Sequence, residues 1–250
     1  MLFGLILFAL GLAAGLFFYN YSLCWARRIP HSEEDLEGPA PAASPAPASA
    51  SGTRPHESVP IFKEALSGGP FVQWGPGVSP LPSILTALFT ASLYLLTYSY
   101  TSTFGDLLKL LVLFSLLLII SLIDLKRHII PNTLVLAVLA WGVFWQIINP
   151  PVTWPQAFLG LLLGGGFLFL AAVISRGGMG GGDIKLMLAA GFYLGPVLTA
   201  QALFIAVFAG ALVGLLLLLF RIKKRKDQIP FGPFLCFGII TALLFGPQIF

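Results

Sequence analysis

Long apolar runs, separated by short polar segments, make up most of the chain. Seven runs stand out, and most of them have the roughly 17–25 residues that a helix needs to cross a bilayer. They cover Leu2–Leu23, Leu81–Tyr100, Leu107–Ile123, Leu134–Ile148, Phe158–Ile174, Val197–Phe220 and Phe234–Phe250. Because backbone polar groups in lipid must be satisfied within helices, this pattern predicts a multi-pass membrane protein without a sizeable soluble core.

An eighth apolar segment, Ile184–Gly195, is shorter than a typical crossing, so the charges must decide whether it crosses. If Arg27–Arg28 is cytoplasmic and all eight segments cross, only Lys109 of the 14 basic residues lies outside, where it can pair with Asp106. Without the eighth crossing, the basic cluster in 221–226 would lie outside, against the positive-inside rule. The expected fold is therefore all-α, a polytopic membrane bundle of about eight transmembrane helices.

One long polar segment divides the chain into three parts. Residues 1–30 form the first transmembrane helix with a basic cytoplasmic end, residues 31–80 a cytoplasmic loop, and residues 81–250 a seven-helix membrane domain. The middle of the loop, Gly38–Gly52, is almost entirely Pro, Ala and Ser, which predicts a disordered linker. The acidic run Glu33–Glu37 either attracts a basic peptide or is an ordinary solvated charge cluster.

Composition narrows the class of protein further. Hydrophobic residues make up 57% of the chain and charged residues 10%, which excludes a soluble globular protein. The net charge of +4 comes from basic residues beside the apolar runs, so it indicates orientation and contact with membrane lipid rather than nucleic-acid binding. The chain has only two cysteines, Cys24 and Cys236, so neither a disulfide framework nor a Cys-rich zinc site is expected, and no metal site is predicted.

Glycine spacing and tryptophan positions predict how the helices pack and where they meet the membrane surface. Pairs of glycines in small-xxx-small spacing, at Gly11 and Gly15 and at Gly160 and Gly164, predict close packing of helices within the bundle. Three tryptophans near predicted outer boundaries are interpreted as interface anchors: Trp141, Trp145 and Trp154.

Two aspartates at predicted membrane boundaries are the candidates for chemistry. Asp124 follows the third apolar run, and Asp183 follows a glycine-rich segment much later in the chain. The predicted topology places both at the same membrane face, where they are able to meet. Two carboxyl groups that share a site can hold one proton between them, so that one acts as base and the other as acid in peptide hydrolysis.

Each aspartate also has a structural interpretation. Asp124 stands next to Lys126 and Arg127 and can simply hold a loop in the cytosol. Asp183 can stabilise a helix N-terminus beside Lys185. Intramembrane carboxylates also serve as proton relays, so one alternative is a proton- or ion-coupled transporter. A second alternative is a noncatalytic assembly protein.

The segments around the two aspartates resemble the paired motifs of the prepilin peptidases, the type IV leader peptidases of the GxGD aspartic protease group. Gly180-Gly181-Gly182-Asp183 fits the GxGD motif and is followed by Lys185. Asp124 followed by Ile130-Pro131-Asn132 resembles the other aspartate motif, and the segment with Pro230 and Gly232 resembles the start of the family's last helix. The resemblance implies that Asp124 and Asp183 are catalytic. It implies a supporting or substrate-binding role for Gly180, Gly181, Gly182, Lys185, Pro131, Pro230 and Gly232.

The resemblance also implies a substrate and a location. The expected substrates are pilin-like precursors with a short basic leader, a glycine before the cut and a hydrophobic helix after it, cleaved at the cytoplasmic side of the bacterial inner membrane. Cleavage by an aspartate pair requires no cofactor. Many relatives also methylate the new N-terminus with S-adenosylmethionine, but the segment before Leu81 matches weakly and lacks the four-cysteine segment. Methylation, the pilus or secretion system served and the oligomeric state stay open.

Overall fold

The computed structural model describes residues 2–28, 80–175, 179–220 and 229–249, and every regular element within these ranges is a helix. The expected all-helical fold class is confirmed. The predicted linker, the acidic run and the basic residues in 221–226 lie outside the described residues. The helices are α1 (Leu2–Arg28), α2 (Pro80–Tyr100), α3 (Phe104–Arg127), α4 (Asn132–Ile148), α5 (Trp154–Ile174), α6 (Gly181–Leu219) and α7 (Gly232–Ile249).

The outer surface of the bundle is apolar. Five helices, α1, α2, α3, α5 and α6, are long and apolar enough to cross a membrane. Helix α4 and the part of α7 from Gly232 to Gly246 are also apolar but shorter. Large side chains such as Leu162, Phe204 and Leu215 are more than half exposed on this surface. So much exposed apolar surface suits contact with lipid rather than water. The protein is therefore a multi-pass membrane protein.

The first part of α6 runs antiparallel to α5. A Cβ added at Gly160 of α5 would meet the backbone oxygen of Gly191, and one added at Gly164 would lie 2.6 Å from the backbone oxygen of Met187. Later residues of α5 thus contact earlier residues of α6, as in an antiparallel pair. Such close approach of two backbones is possible because the contact positions on α5 are glycines. The predicted packing role of this glycine pair is confirmed.

Beyond Gly195 the chain reverses direction. Gly195 has φ 71° and ψ 178°, which interrupts α6, and we name residues 181–194 the first arm and residues 196–219 the second arm. A Cβ added at Gly160 would lie 2.7 Å from the Cα of Gly195, and one added at Gly164 would lie 3.1 Å from Thr199. The second arm therefore runs parallel to α5 and opposite to the first arm. This reversal agrees with the two predicted helices of opposite direction, Ile184–Gly195 and Val197–Phe220, whereas the count of eight crossings stays a prediction.

We expect Gly195→Ala to lower the free energy of unfolding by about 1–3 kcal/mol, because this φ/ψ region is strained for any residue with a Cβ. The added Cβ would also lie 3.0 Å from the Cγ1 atom of Val152. Thermal unfolding in detergent micelles measures the effect. Gly105→Ala in α3 is the control, because a Cβ there meets nothing within 4 Å. Equal thermal stability of the two variants would contradict the strained turn.

Glycines also join α1 to α2. A Cβ added at Gly11 would lie 2.5 Å from the Cα of Ala91, and one added at Gly15 would lie 2.5 Å from the Cα of Ala87. The contacts again run in opposite directions, so α1 and α2 are antiparallel and pack at backbone distance. This second glycine pair also packs within the bundle, as predicted.

Polar contacts tie the end of α1 to the end of α3. The ammonium of Lys126 donates a hydrogen bond of 2.7 Å to the hydroxyl of Ser22, which in turn donates 2.8 Å to the carbonyl of Tyr19. The same ammonium lies 4.1 Å from the centroid of the Tyr19 ring, a cation–π contact. The second half of α1 and the last turn of α3 therefore lie at the same end of the bundle.

The opposite end of α3 carries the predicted ion pair. The Lys109 ammonium lies 2.9 Å from Asp106, which confirms the pairing. The ammonium also lies 4.9 Å from the centroid of Trp145. Trp145 is buried, so its interpretation as a membrane anchor is wrong: the ring covers a buried lysine instead. Trp154 is 47% exposed, as an anchor would be.

The core lies between α3, α4, α6 and α7. Its largest fully buried side chains include Phe114, Leu117 and Ile120 of α3, Leu186 of the first arm and Leu235 of α7. This packing holds the end of α3 against the starts of α6 and α7.

Candidate active site

Asp124 and Asp183 lie at helix ends, in the last turn of α3 and the first turn of α6. Both side chains are buried, with exposed fractions of 5% and 8%. The end of α3 is set by His128, which has φ 56° and ψ 33° and donates its N–H to the carbonyl of Asp124 at 2.8 Å. This left-handed residue closes the helix one turn beyond Asp124.

The chain then turns directly into α4, whose start contacts the start of α6. Pro131 is the N-cap residue of α4, one position before the first helical turn in which it was predicted, and its carbonyl accepts the N–H groups of Leu134 and Val135. At the next position, Asn132 accepts a hydrogen bond of 3.1 Å from the ammonium of Lys185. Lys185 therefore joins two helix starts at the exposed rim of the site.

The glycine run before Asp183 permits close approach. A Cβ added at Gly182 would lie 2.9 Å from the Cβ of Ile130, so the α3–α4 turn packs directly on this glycine. Gly180 is the N-cap of α6, and its carbonyl accepts the N–H of Asp183 at 3.2 Å. A Cβ on Gly180 would lie 3.3 Å from Oδ2 of Asp183, whereas one on Gly181 would meet nothing within 4 Å.

The start of α7 completes the site. The N–H of Gly232 donates a hydrogen bond of 3.0 Å to Oδ2 of Asp124. Pro230, partly buried, lies shortly before it in the turn that leads into α7. The prediction that these two residues belong near the aspartates came from the resemblance alone, and Gly232 is the one in direct contact with an aspartate.

The two carboxyl groups interact electrostatically with each other. The buried thiol of Cys236, one turn into α7, lies within electrostatic range of both. The fold thus brings together, at one end of the bundle, two aspartates that are far apart in the sequence. Such a pair favours holding one proton, which leaves one member able to accept a proton and the other able to donate one.

Two residues near the aspartates had no predicted role in the site. Cys236 is buried, and its thiol lies within electrostatic range of both aspartates. His128 ends α3 through its left-handed backbone, and it also lies within electrostatic range of Asp124. Within the described ranges, no group of three or more His, Cys, Asp or Glu residues is arranged to hold a metal ion.

Comparison with known proteins identifies the family. The sequence model of the type IV leader peptidase family matches residues 111–215, which include both aspartates. The prepilin leader peptidase/N-methyltransferase of Bacillus subtilis (strain 168) is 33% identical over 250 residues, covering 98% of this chain and 95% of the relative. The relative of the same name from Aeromonas salmonicida (strain A449) is 31% identical over 177 residues, covering 68% of this chain and 59% of its own length. The one from Pseudomonas aeruginosa is 28% identical over 204 residues, covering 78% and 69%. No solved structure matches. The chain belongs to the type IV leader peptidase family.

Proposed function

We propose that this protein is a membrane aspartic endopeptidase that removes the leader from prepilin-like precursors. The observation that carries the proposal is the pair of buried, interacting carboxyl groups of Asp124 and Asp183 at one end of the bundle. The curated relatives are named prepilin leader peptidases, and both aspartates lie inside the matched family region.

The proposed reaction uses both aspartates and one water molecule. The ionised aspartate takes a proton from water while the water oxygen bonds to the scissile carbonyl carbon, and the protonated aspartate donates its proton to the carbonyl oxygen. The resulting tetrahedral intermediate breaks its C–N bond as the nitrogen receives the proton that came from water. The carbonyl forms again and returns its proton to the second aspartate, so the pair ends with the single proton with which it began.

The position of the aspartates favours this proposal over a proton-coupled transporter. Transporters place ionisable groups near the middle of broken helices, whereas Asp124 and Asp183 lie in terminal turns. A peptidase that cuts at the junction of a polar leader and an apolar helix needs its catalytic groups at a membrane boundary.

We infer that this boundary is the cytoplasmic one. Three basic residues, Lys126, Arg127 and Lys185, lie at the end of the bundle that carries the aspartates. At the other end Lys109 is paired with Asp106. Positive charge concentrates on the cytoplasmic side of membrane proteins, and a basic leader is also cytoplasmic.

Incubation of membranes containing the protein with a pilin-like precursor tests the proposal. Mass spectrometry of the product is expected to show a cut directly after the glycine that precedes the hydrophobic helix. A precursor with leucine in place of that glycine is the matched control and should stay uncut. Failure to cut several pilin-like precursors would favour the transporter or the assembly protein.

The same measurement addresses methylation. The names of the relatives also include N-methyltransferase, but the part of this chain before Leu81 lacks the four-cysteine segment. We therefore assign cleavage, which needs no cofactor, and leave methylation to the mass of the new N-terminus with and without S-adenosylmethionine. An added methyl group that depends on S-adenosylmethionine would assign the second activity.

A further inference from the structure

A backbone amide of α7 contacts one of the two aspartates. The N–H of Gly232 donates to Oδ2 of Asp124 at 3.0 Å, and the two residues are 108 positions apart in the chain. Both residues are buried. Because Gly232 is the first residue of its helix, its N–H has no acceptor within the helix. The carboxylate satisfies this amide, and the amide holds one carboxylate oxygen.

The absence of a side chain at this position is what allows the contact. A Cβ added at Gly232 would lie 2.6 Å from Oδ2 of Asp124, 3.0 Å from its Cγ and 3.3 Å from its Cβ. All three nearest atoms belong to the same aspartate. An alanine at position 232 must therefore displace the carboxyl group of Asp124, or move the start of α7 away from it.

Hydrogen bonds and packing at Phe231 fix the position of the start of α7. The carbonyl of Phe231 accepts the N–H groups of Phe234 at 3.0 Å and Leu235 at 3.1 Å, which sets the first turn of the helix. The ring of Phe231 packs on Gly210 of the second arm, where an added Cβ would lie 3.3 Å from the ring. The amide of Gly232 is thus aimed at Asp124 by α6 and α7 together.

We propose that Gly232 is a positioning residue for the cleavage reaction: its N–H holds Oδ2 of Asp124, which leaves Oδ1 as the oxygen that exchanges the proton during cleavage. This inference rests on the proposed peptidase function. Gly232 does not touch the reacting atoms and acts only through Asp124. A displacement of about 1 Å in a catalytic group can cost roughly 100-fold in rate, so a small shift is sufficient for a large effect.

The kinetic test compares Gly232→Ala with Gly238→Ala in the full-length protein. Both glycines are buried in α7, but a Cβ at Gly238 would press on the backbone oxygen of Ala202 in the second arm, and none of its nearest atoms belongs to an aspartate. For Gly232→Ala we expect kcat for a pilin-like precursor to fall about 100-fold with KM unchanged. For Gly238→Ala we expect lower thermal stability but wild-type kcat per folded molecule. A wild-type kcat in Gly232→Ala, a rise in KM alone, or an equal loss of kcat in Gly238→Ala would overturn the proposal.

A stability cycle tests the contact without using activity. In wild type, Gly232→Ala should lower the melting temperature. In an Asp124→Ala background the same change should lower it less, because the two nearest atoms, Oδ2 and Cγ, are gone. Gly238→Ala should have the same effect in both backgrounds. An equal effect of Gly232→Ala in both backgrounds would overturn the contact. The proposed function fails separately: uncut precursors with the wild-type protein would contradict the peptidase, and cleavage by Asp124→Asn would contradict the aspartate pair.

Discussion

Cleavage of a pilin-like precursor is expected to be lost when either Asp124 or Asp183 is replaced by asparagine. The substitution keeps size and shape but removes the ability to exchange a proton, so the pair no longer contains both a base and an acid. General acid–base groups contribute on the order of 10²–10⁴-fold to rate. The two single variants and the double variant should have similarly low activity, because residues that act as one unit do not contribute additively.

The matched control for these variants is Asp106→Asn. Asp106 also lies in α3, but in its first turn, where its partner is Lys109 rather than another aspartate. Its replacement removes an ion pair and should leave the rate of cleavage per folded molecule unchanged. All variants are compared at equal abundance in the membrane. Survival of cleavage in either Asp124→Asn or Asp183→Asn would exclude that aspartate from the reaction.

The second large effect is expected for Gly160→Leu in α5. At Gly160 the backbones of α5 and α6 touch: an added Cβ would meet the backbone oxygen of Gly191 and lie 2.6 Å from the carbonyl carbon of Gly195. Backbone atoms cannot rotate away as a flexible side chain can, so a leucine must separate the two helices. Overpacking a well-packed interior typically costs about 1–3 kcal/mol, and contacts with two backbones should bring the loss to the top of that range or beyond.

Gly166→Leu is the matched control, because it introduces the same leucine into the same helix at a position without close contacts. Gly166 lies in the same helix, but it is exposed and an added Cβ meets nothing within 4 Å. We expect Gly160→Leu to yield little folded protein by size-exclusion chromatography in detergent, and Gly166→Leu to elute as the wild type does. Similar elution of both variants would show that the tight α5–α6 contact is not needed for folding.

Charge placement was enough to predict the reversal within α6. Ile184–Gly195 is too short to be identified as a crossing by its apolar residues, but the basic residues after the next run required the chain to change direction. The structure has this reversal at Gly195, although without a polar loop between the two arms. A polar loop was not needed, because glycine tolerates the positive φ and Pro196 begins the next helical segment.

The meeting of Asp124 and Asp183 was predicted by the same reasoning, since helices of known direction place their ends on one side or the other. The contact between the amide of Gly232 and Asp124 could not be predicted by this reasoning. A backbone N–H has no residue-specific signal in a sequence, and its acceptor lies 108 residues away. Only the resemblance indicated that Gly232 belongs to the site, and it did not indicate the hydrogen bond to Asp124.

Trp145 shows why a boundary tryptophan can be misinterpreted. Its position near the end of an apolar run is typical of a ring at the membrane surface. A sequence does not show that the ammonium of Lys109 lies buried beside the same helix end and needs a ring to cover it. Which residues pack against a given side of a helix depends on the tertiary structure. This packing decides whether a boundary tryptophan lies at the membrane surface or in the core.

The reversal at Gly195 has a consequence for biogenesis. The first arm, residues 181–194, is about 21 Å long at roughly 1.5 Å per residue, whereas the hydrocarbon core of a bilayer is about 30 Å thick. Polar residues at its start, Asp183 and Lys185, make it a still poorer insertion signal. The second arm is long and apolar and is joined to the first by a single residue. The two arms should therefore leave the translocon together as a helical hairpin, so that the nascent chain delivers Asp183 to its place beside Asp124 only after the second arm has been synthesised.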